Sequence, residues 1–166
     1  MFMEDLKPWK YYKDILSINY DYLMQNNYNI LLFDLDNTIL NNRETIVSND
    51  IINLFTNLKR MGFTVLIVSN ALPGRVQNVA KVLGVKGYGL AFKPFIKKIY
   101  KIKQAKKFNI ENMVVIGDQL FTDIKAAKKL GIKSILVDPI DVYEPFITVF
   151  NRGRENDLIN RGDYYE

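Results

Sequence analysis

A pattern repeated along the middle of the chain constrains its fold more than any other feature: a short aliphatic run, a polar or glycine-bearing turn, then a segment with helical period. The runs are Asn29–Phe33, Thr64–Val68, Met113–Ile116 and Ser134–Val137, with a weaker one, Tyr88–Phe92, between the second and third. They are apolar without alternation, as strands covered on both faces must be, and parallel sheets require that cover. The intervening segments are amphipathic. Ile51, Leu54, Phe55, Leu58 and Met61 make one helical stripe, and Val76, Val79, Ala80 and Leu83 another. Ser48 and Asn49 offer N-caps, Gly62, Gly84 and Gly131 follow helices, and Pro73 and Pro94 fall where first-turn prolines are allowed. Strands alternating with helices predict an α/β fold, a doubly wound parallel sheet.

No repeat, low-complexity tract or long linker divides the chain, so a single domain is expected. Its parts are an aromatic N-terminal arm over residues 1–28, an α/β core over 29–143 and a closing helix and tail over 144–166. The N-terminus lacks the apolar stretch of a signal peptide, and apolar runs of about four residues are far short of the ~20 that span a bilayer. A cytoplasmic chain is therefore expected.

The chain has no cysteine and no histidine. That removes cysteine-nucleophile phosphatases, Ser-His-Asp hydrolases, thiolate or imidazole zinc sites, phosphohistidine chemistry and disulfides together. Catalysis must run on Asp, Glu, Lys, Ser, Thr, Tyr or a metal held by oxygen.

Four of the runs end in groups suited to such chemistry. The first is followed by Asp34-Leu35-Asp36-Asn37-Thr38, and side chains two apart share a face if strand geometry persists. Two close carboxylates repel unless a cation sits between them. The second run ends in Ser69-Asn70, the weak one in Lys93-Pro94, and the next in Gly117-Asp118 with Asp123 five residues on. Each alone is ordinary turn or capping chemistry. Together they bring a carboxylate pair, a hydroxyl, a lysine and a carboxylate to the sheet edge where open α/β folds bind ligands. Carboxylates suit a hard divalent cation such as Mg2+, while Ser, Lys and backbone N–H groups suit phosphate oxygens. Phosphoryl transfer to an aspartate fits the set. Receiver domains do this too, but their accepting Asp ends a middle strand where this chain has Ser69.

In order and spacing these four segments resemble the motifs of the haloacid dehalogenase-like superfamily. The resemblance implies that Asp34 is the nucleophile, that Asp36 protonates the leaving alcohol and then activates water, and that Lys93 balances charge. It implies that Thr38 and Ser69 hold phosphate oxygens, and that Mg2+ is held by Asp34, Asp118 and the carbonyl of Asp36, with Asp123 in support. The wording Phe33-Asp34-Leu35-Asp36-Asn37-Thr38, Ser69-Asn70, Arg75-Val76, Ala91-Phe92-Lys93-Pro94 and Gly117 through Asp123 is similar to the YqeG-type, class IIIA branch. The likeness extends to Ser17-Ile18 and to Asn151, Arg152 and Glu155, and Ala71 departs from it where relatives often carry Asn. Relatives of that branch include phosphatases acting on phosphatidylglycerophosphate.

Spacing and charge bear on the substrate. The intervals from Asp36 to Ser69 and from Ser69 to Lys93 are consumed by core elements, leaving no room for a cap. An open site suits a phosphate presented on something large, and a lipid-linked phosphomonoester is the expected partner. Seven lysines and no acid lie between residues 93 and 107, in a chain whose net charge is +5. Lys97 and Lys101 would face solvent, opposite Phe95, Ile99 and Ile102, and could attract an anionic membrane peripherally. No nucleic-acid motif accompanies the charge. Arg75, a cation in a helix's first turn, needs a partner anion and with Asn70 is a candidate substrate contact, as is Arg152. A soluble sugar or nucleotide monophosphatase and a non-enzymatic interaction module are the alternatives; intact Asp34 and Asp36 argue against the module, because binding alone requires neither.

Overall fold

A computed structural model describes residues 6–141. Among these residues six parallel strands form one sheet, from edge to edge Lys10–Tyr12, Lys133–Val137, Met113–Gly117, Ile30–Phe33, Thr64–Val68 and Lys86–Tyr88. In chain order the elements are β1 (Lys10–Tyr12), α1 (Tyr20–Gln25), β2 (Ile30–Phe33), α2 (Asn49–Arg60), β3 (Thr64–Val68), α3 (Pro73–Leu83) and β4 (Lys86–Tyr88). They continue with α4 (Lys97–Lys106), a 3-10 turn (Ile110–Asn112), β5 (Met113–Gly117), a π-helical turn (Leu120–Ile124), α5 (Lys125–Leu130) and β6 (Lys133–Val137).

The unbroken apolar runs divide between two cores. Leu31 and Phe33 of β2, with Val65 and Ile67 of β3 and Val114 and Ile116 of β5, pack beneath Phe55, Leu58, Val76 and Val79 of α2 and α3. Ile30, Leu32, Leu66, Val68, Met113 and Val115 point the other way, onto Ile99, Ile102, Ala126 and Ala127 of α4 and α5. Alternate residues of one strand thus bury against opposite helical layers, so the sheet is doubly wound. Each large aliphatic or aromatic side chain so buried contributes roughly 1.5–3 kcal/mol. Phe33 and Phe55 also meet ring to ring at 5.0 Å, tilted by 44°.

Chain order reverses between β2 and β5, which pair directly, Phe33 opposite Ile116. That is the switch point at which open α/β sheets part their loops to leave a crevice.

Several expectations are corrected. The aromatic arm is not separate from the sheet, since Lys10–Tyr12 pairs with Ile135–Val137 as an edge strand. Half-buried and carrying a lysine and two tyrosines, it has no apolar run to reveal it. The weak strand lies at Lys86–Tyr88 and not at 88–92, because Leu90 and Phe92 take positive φ, which no strand tolerates. Gly87 lets that strand pass close to α3, where a Cβ would lie 2.7 Å from Val76 and 2.9 Å from Ala80. Pro73 does open α3, but Pro94 lies in the turn before α4. That turn is closed by the Phe95 N–H donating to the Phe92 carbonyl, so the helix starts only at Lys97. Phe95 is exposed, and Met61, the residue capping α2, is exposed too. Ser48 occupies the N-cap of α2 without a side-chain capping bond. The expected closing helix from residue 144 lies outside the described residues.

No described helix is long and apolar enough to cross a membrane. The connections 34–48, 69–72 and 89–96 contain no helix and no sheet strand beyond the Asp36–Leu40 bridge, so no cap stands over the crevice among the described residues.

Candidate active site

β2 ends at Phe33, yet its alternation carries on past that residue. Leu35 is fully buried in the same core as Leu31 and Phe33, so Asp34 and Asp36 are turned to the opposite side. Both line one cavity of about 590 Å3 at the carboxyl edge of the sheet, with Ser69, Asn70, Lys93 and Gln119. The Asp34 N–H still donates to the Ile116 carbonyl at 2.8 Å, holding the first carboxylate beside the end of β5, from which Asp118 follows.

Lys93 is the hinge of the site. Its ammonium donates to Asp34 Oδ1 at 2.8 Å and to Asp123 Oδ1 at 2.5 Å, and the residue is buried. Burial alone would lower its pKa, but Asp123 and Asp34 raise it well above the usual lysine range, so it stays a cation. Asn70 fixes it by the main chain, accepting from the Lys93 N–H at 2.7 Å and donating to the Lys93 carbonyl at 3.0 Å.

Asp34, Asp118 and Asp123 each offer an oxygen within 4.8 Å of the others. Burial pushes the Asp123 carboxyl up to about 6, with Asp34 adding to the rise and Lys93 opposing it. Three carboxylates against one ammonium leave an excess of negative charge that a hard, oxygen-loving divalent cation would neutralise. The donor set fits such an ion. Gly117 makes the cluster possible, since a Cβ there would sit 2.3 Å from both Cγ and Oδ2 of Asp123. Asp123 Oδ2 in turn accepts from the Gln119 N–H at 3.3 Å, and Gln119 occupies the N-cap position of the π-helical turn without a side-chain capping bond.

The remaining candidates fall into place differently. Ser69 lines the cavity, and its Oγ accepts from the Ala71 N–H at 3.1 Å, which leaves its own proton to donate. Thr38 instead turns under the carboxylates and donates to Asp118 Oδ1 at 3.2 Å, because Asn37 at φ 61° folds the chain into a tight turn. Arg75 has its anion: Nε and Nη2 lie 2.9 and 2.8 Å from Asp36 Oδ1. It is spent there and does not line the cavity. Asp36 is shifted upward, by burial first, with Arg75 pulling the other way. Arg152 lies outside the described residues. Asn42 and Lys125 of the cavity wall are not among the sequence candidates, and Gln119 and Phe121 enter there only within the Gly117–Asp123 segment; for Lys125, Gln119 and Phe121 the cue is their position around Asp123, at the same strand end.

An all-parallel sheet that gathers aspartates around one buried lysine at its switch point defines an α/β protein of the phosphoryl-transfer kind. The chain belongs to the haloacid dehalogenase-like hydrolase family, whose model matches residues 42–131. It is similar to a protein of Bacillus subtilis described as a probable phosphatase, YqeG, with 33% identity over 153 residues, 92% of this chain and 89% of that one. Among solved structures, a candidate 3-deoxy-D-manno-octulosonate 8-phosphate phosphatase from Vibrio cholerae superposes with a TM-score of 0.58 at 18% identity, over 87% of this chain and 78% of that one. A candidate HAD-like hydrolase from Porphyromonas gingivalis gives 0.55 at 12% identity, over 75% and 98%. Family membership and the likeness to the Bacillus subtilis protein make this a phosphatase, in a family that uses a divalent metal.

Proposed function

We propose that the protein is a Mg2+-dependent phosphomonoesterase working through an aspartyl-phosphate on Asp34, and that its substrate is a lipid-linked phosphate, phosphatidylglycerophosphate, converted to phosphatidylglycerol. The observation that carries the reading is the pair of carboxylates Asp34 and Asp36 in one open cavity, the first already held by a buried ammonium.

The chemistry follows from charge. A carboxylate attacks a phosphate dianion only if the repulsion between them is offset. Lys93 supplies one positive charge at Asp34. Mg2+, held by Asp34 and Asp118 with Asp123 in support, would supply the remainder. Asp34 forms an oxygen–phosphorus bond as the ester oxygen leaves, and Asp36 gives that oxygen its proton. Asp36 then takes a proton from water as the water oxygen attacks phosphorus, which releases inorganic phosphate and restores the Asp34 carboxylate. Ser69 donates to a phosphate oxygen, and Asn70 keeps Lys93 in reach.

The rim of the cavity supports a substrate anchored in a bilayer. Leu72 and Phe95 are each 69% exposed and Phe92 63%, beside Ala71 and Pro94 of the cavity wall. Lys97 and Lys101 stand exposed on α4 close behind, and the Lys129 ammonium lies 5.8 Å from the Phe95 ring. Apolar side chains ringed by lysines suit an anionic lipid surface, where each basic residue contributes about 1 kcal/mol. The test is turnover of phosphatidylglycerophosphate in vesicles against a soluble phosphomonoester, with Mg2+ and with chelator. Preference for the lipid, lost as salt rises, is the expected result. More efficient cleavage of the soluble ester would reject the lipid assignment, and full activity in chelator the metal.

A further inference from the structure

We infer that Arg75 is the positioning residue for Asp36, a clamp that assigns the proton-transfer work to one oxygen of that carboxylate. The inference rests on the phosphatase reading above, with Asp36 as its acid and base.

The guanidinium spends all three nitrogens on one stretch of chain. Nε and Nη2 reach Asp36 Oδ1, Nη2 also donates to the Asn41 carbonyl at 2.9 Å, and Nη1 donates to the Glu44 carbonyl at 2.5 Å. Arg75 thus ties the first turn of α3 to Asp36 and to the loop that follows it, across 39 residues of sequence. Residues 43–46 of that loop are exposed and bury no side chain that would hold them. Both contacts to Asp36 fall on Oδ1, so Oδ2 is the oxygen left to meet a leaving group or a water. The planar fork serves these acceptors from three separate nitrogens, whereas the three donors of an ammonium all leave one nitrogen.

The helix gains nothing from the residue. A cation in a first turn opposes the helix dipole, and α3 has no side-chain cap to offset it. A direct substrate contact would need the guanidinium in the cavity, whose wall includes Asp36, Asn42 and Ala71 but not Arg75.

A residue that acts through the acid leaves a distinctive kinetic trace. Protonation of the leaving oxygen matters little for a good leaving group and greatly for a poor one. In Arg75→Ala, kcat/KM for 4-nitrophenyl phosphate should fall only about 3-fold, whereas that for an alkyl phosphate should fall about 100-fold, within the range of general acid catalysis. Arg75→Lys should show the same trend with smaller amplitude, and it decides the matter if Arg75→Ala does not fold. In an Asp36→Asn background, Arg75→Ala should cost little more, because the two residues act as one unit. An equal loss across the ester series, or additive losses in the double variant, would overturn the positioning role while leaving the phosphatase standing. A wild-type protein that hydrolyses no phosphomonoester at all would overturn both.

Discussion

Asn70 grips Lys93 with both ends of its side-chain amide, Oδ1 on the N–H at 2.7 Å and Nδ2 on the carbonyl at 3.0 Å. The pairing copies a backbone ladder between two loops that leave neighbouring strands, and it decides where the ammonium can stand. Asn70→Ala should leave the lysine present but loosely aimed. The expected loss in kcat/KM is about 10- to 100-fold, from hydrogen bonds worth roughly 1–3 kcal/mol. Steady-state kinetics on a soluble phosphomonoester check it, and unchanged kinetics would show that Lys93 needs no such support.

Asp34→Asn keeps the shape of the side chain and removes its nucleophilic charge. Turnover should vanish while the melting temperature stays within a few degrees of wild type, because the substitution also relieves repulsion from Asp118 and Asp123. Acid-quenched reactions with labelled substrate should trap phosphate covalently on the wild-type chain and not on the variant. Labelling of both would place the nucleophile elsewhere.

Much of this is legible in the amino-acid sequence. The strands at 30–33, 64–68, 113–117 and 133–137 announce themselves because burial on both faces forces an unbroken apolar run. The motif residues are legible for a related reason: a polar group straight after such a run must stand at the sheet's edge. What stayed hidden was pairing between distant residues. Arg75 shows in sequence as a misplaced cation and a candidate substrate contact, and nothing there points to its partner Asp36, in a loop 39 residues away. Thr38 reads as a phosphate ligand until its hydroxyl is found on Asp118, 80 residues away. The strand at Lys10–Tyr12 escaped because an edge position asks for no apolar run, and Lys86–Tyr88 because its centre is a glycine chosen for closeness to α3.

Gly117 carries a test of the carboxylate cluster that removes no charged group. A methyl at this position would lie 2.3 Å from the Asp123 carboxylate, far inside contact distance, with Asp123 fully buried. Gly117→Ala must therefore displace Asp123 from Lys93. Apparent Mg2+ affinity, read from the activation curve, should weaken at least about 10-fold, the scale on which support for a metal site acts. An activation curve identical to wild type would mean that Asp123 takes no part in holding the ion.

The buried carboxylates also set how stability responds to pH. Burial raises Asp123 to about 6 and raises Asp36 as well. Between the ordinary carboxylate range and pH 6 the folded chain therefore holds protons that the unfolded chain releases, and stability falls as pH rises through that window. Lys93, held far above it as a cation, adds no slope there. A shift of this size corresponds to about 1–3 kcal/mol, and to a drop in melting temperature on the order of 5 °C between pH 4.5 and 6.5 in chelator. Asp123→Asn should flatten the drop. Mg2+ binds only the ionised cluster, so it should raise the melting temperature more at pH 7.5 than at pH 5. Thermal melts across this range, with EDTA and with Mg2+, decide the point: a metal-free protein that grows more stable from pH 4.5 to 6.5, equally in wild type and Asp123→Asn, would show that the cluster does not carry the strain assigned to it.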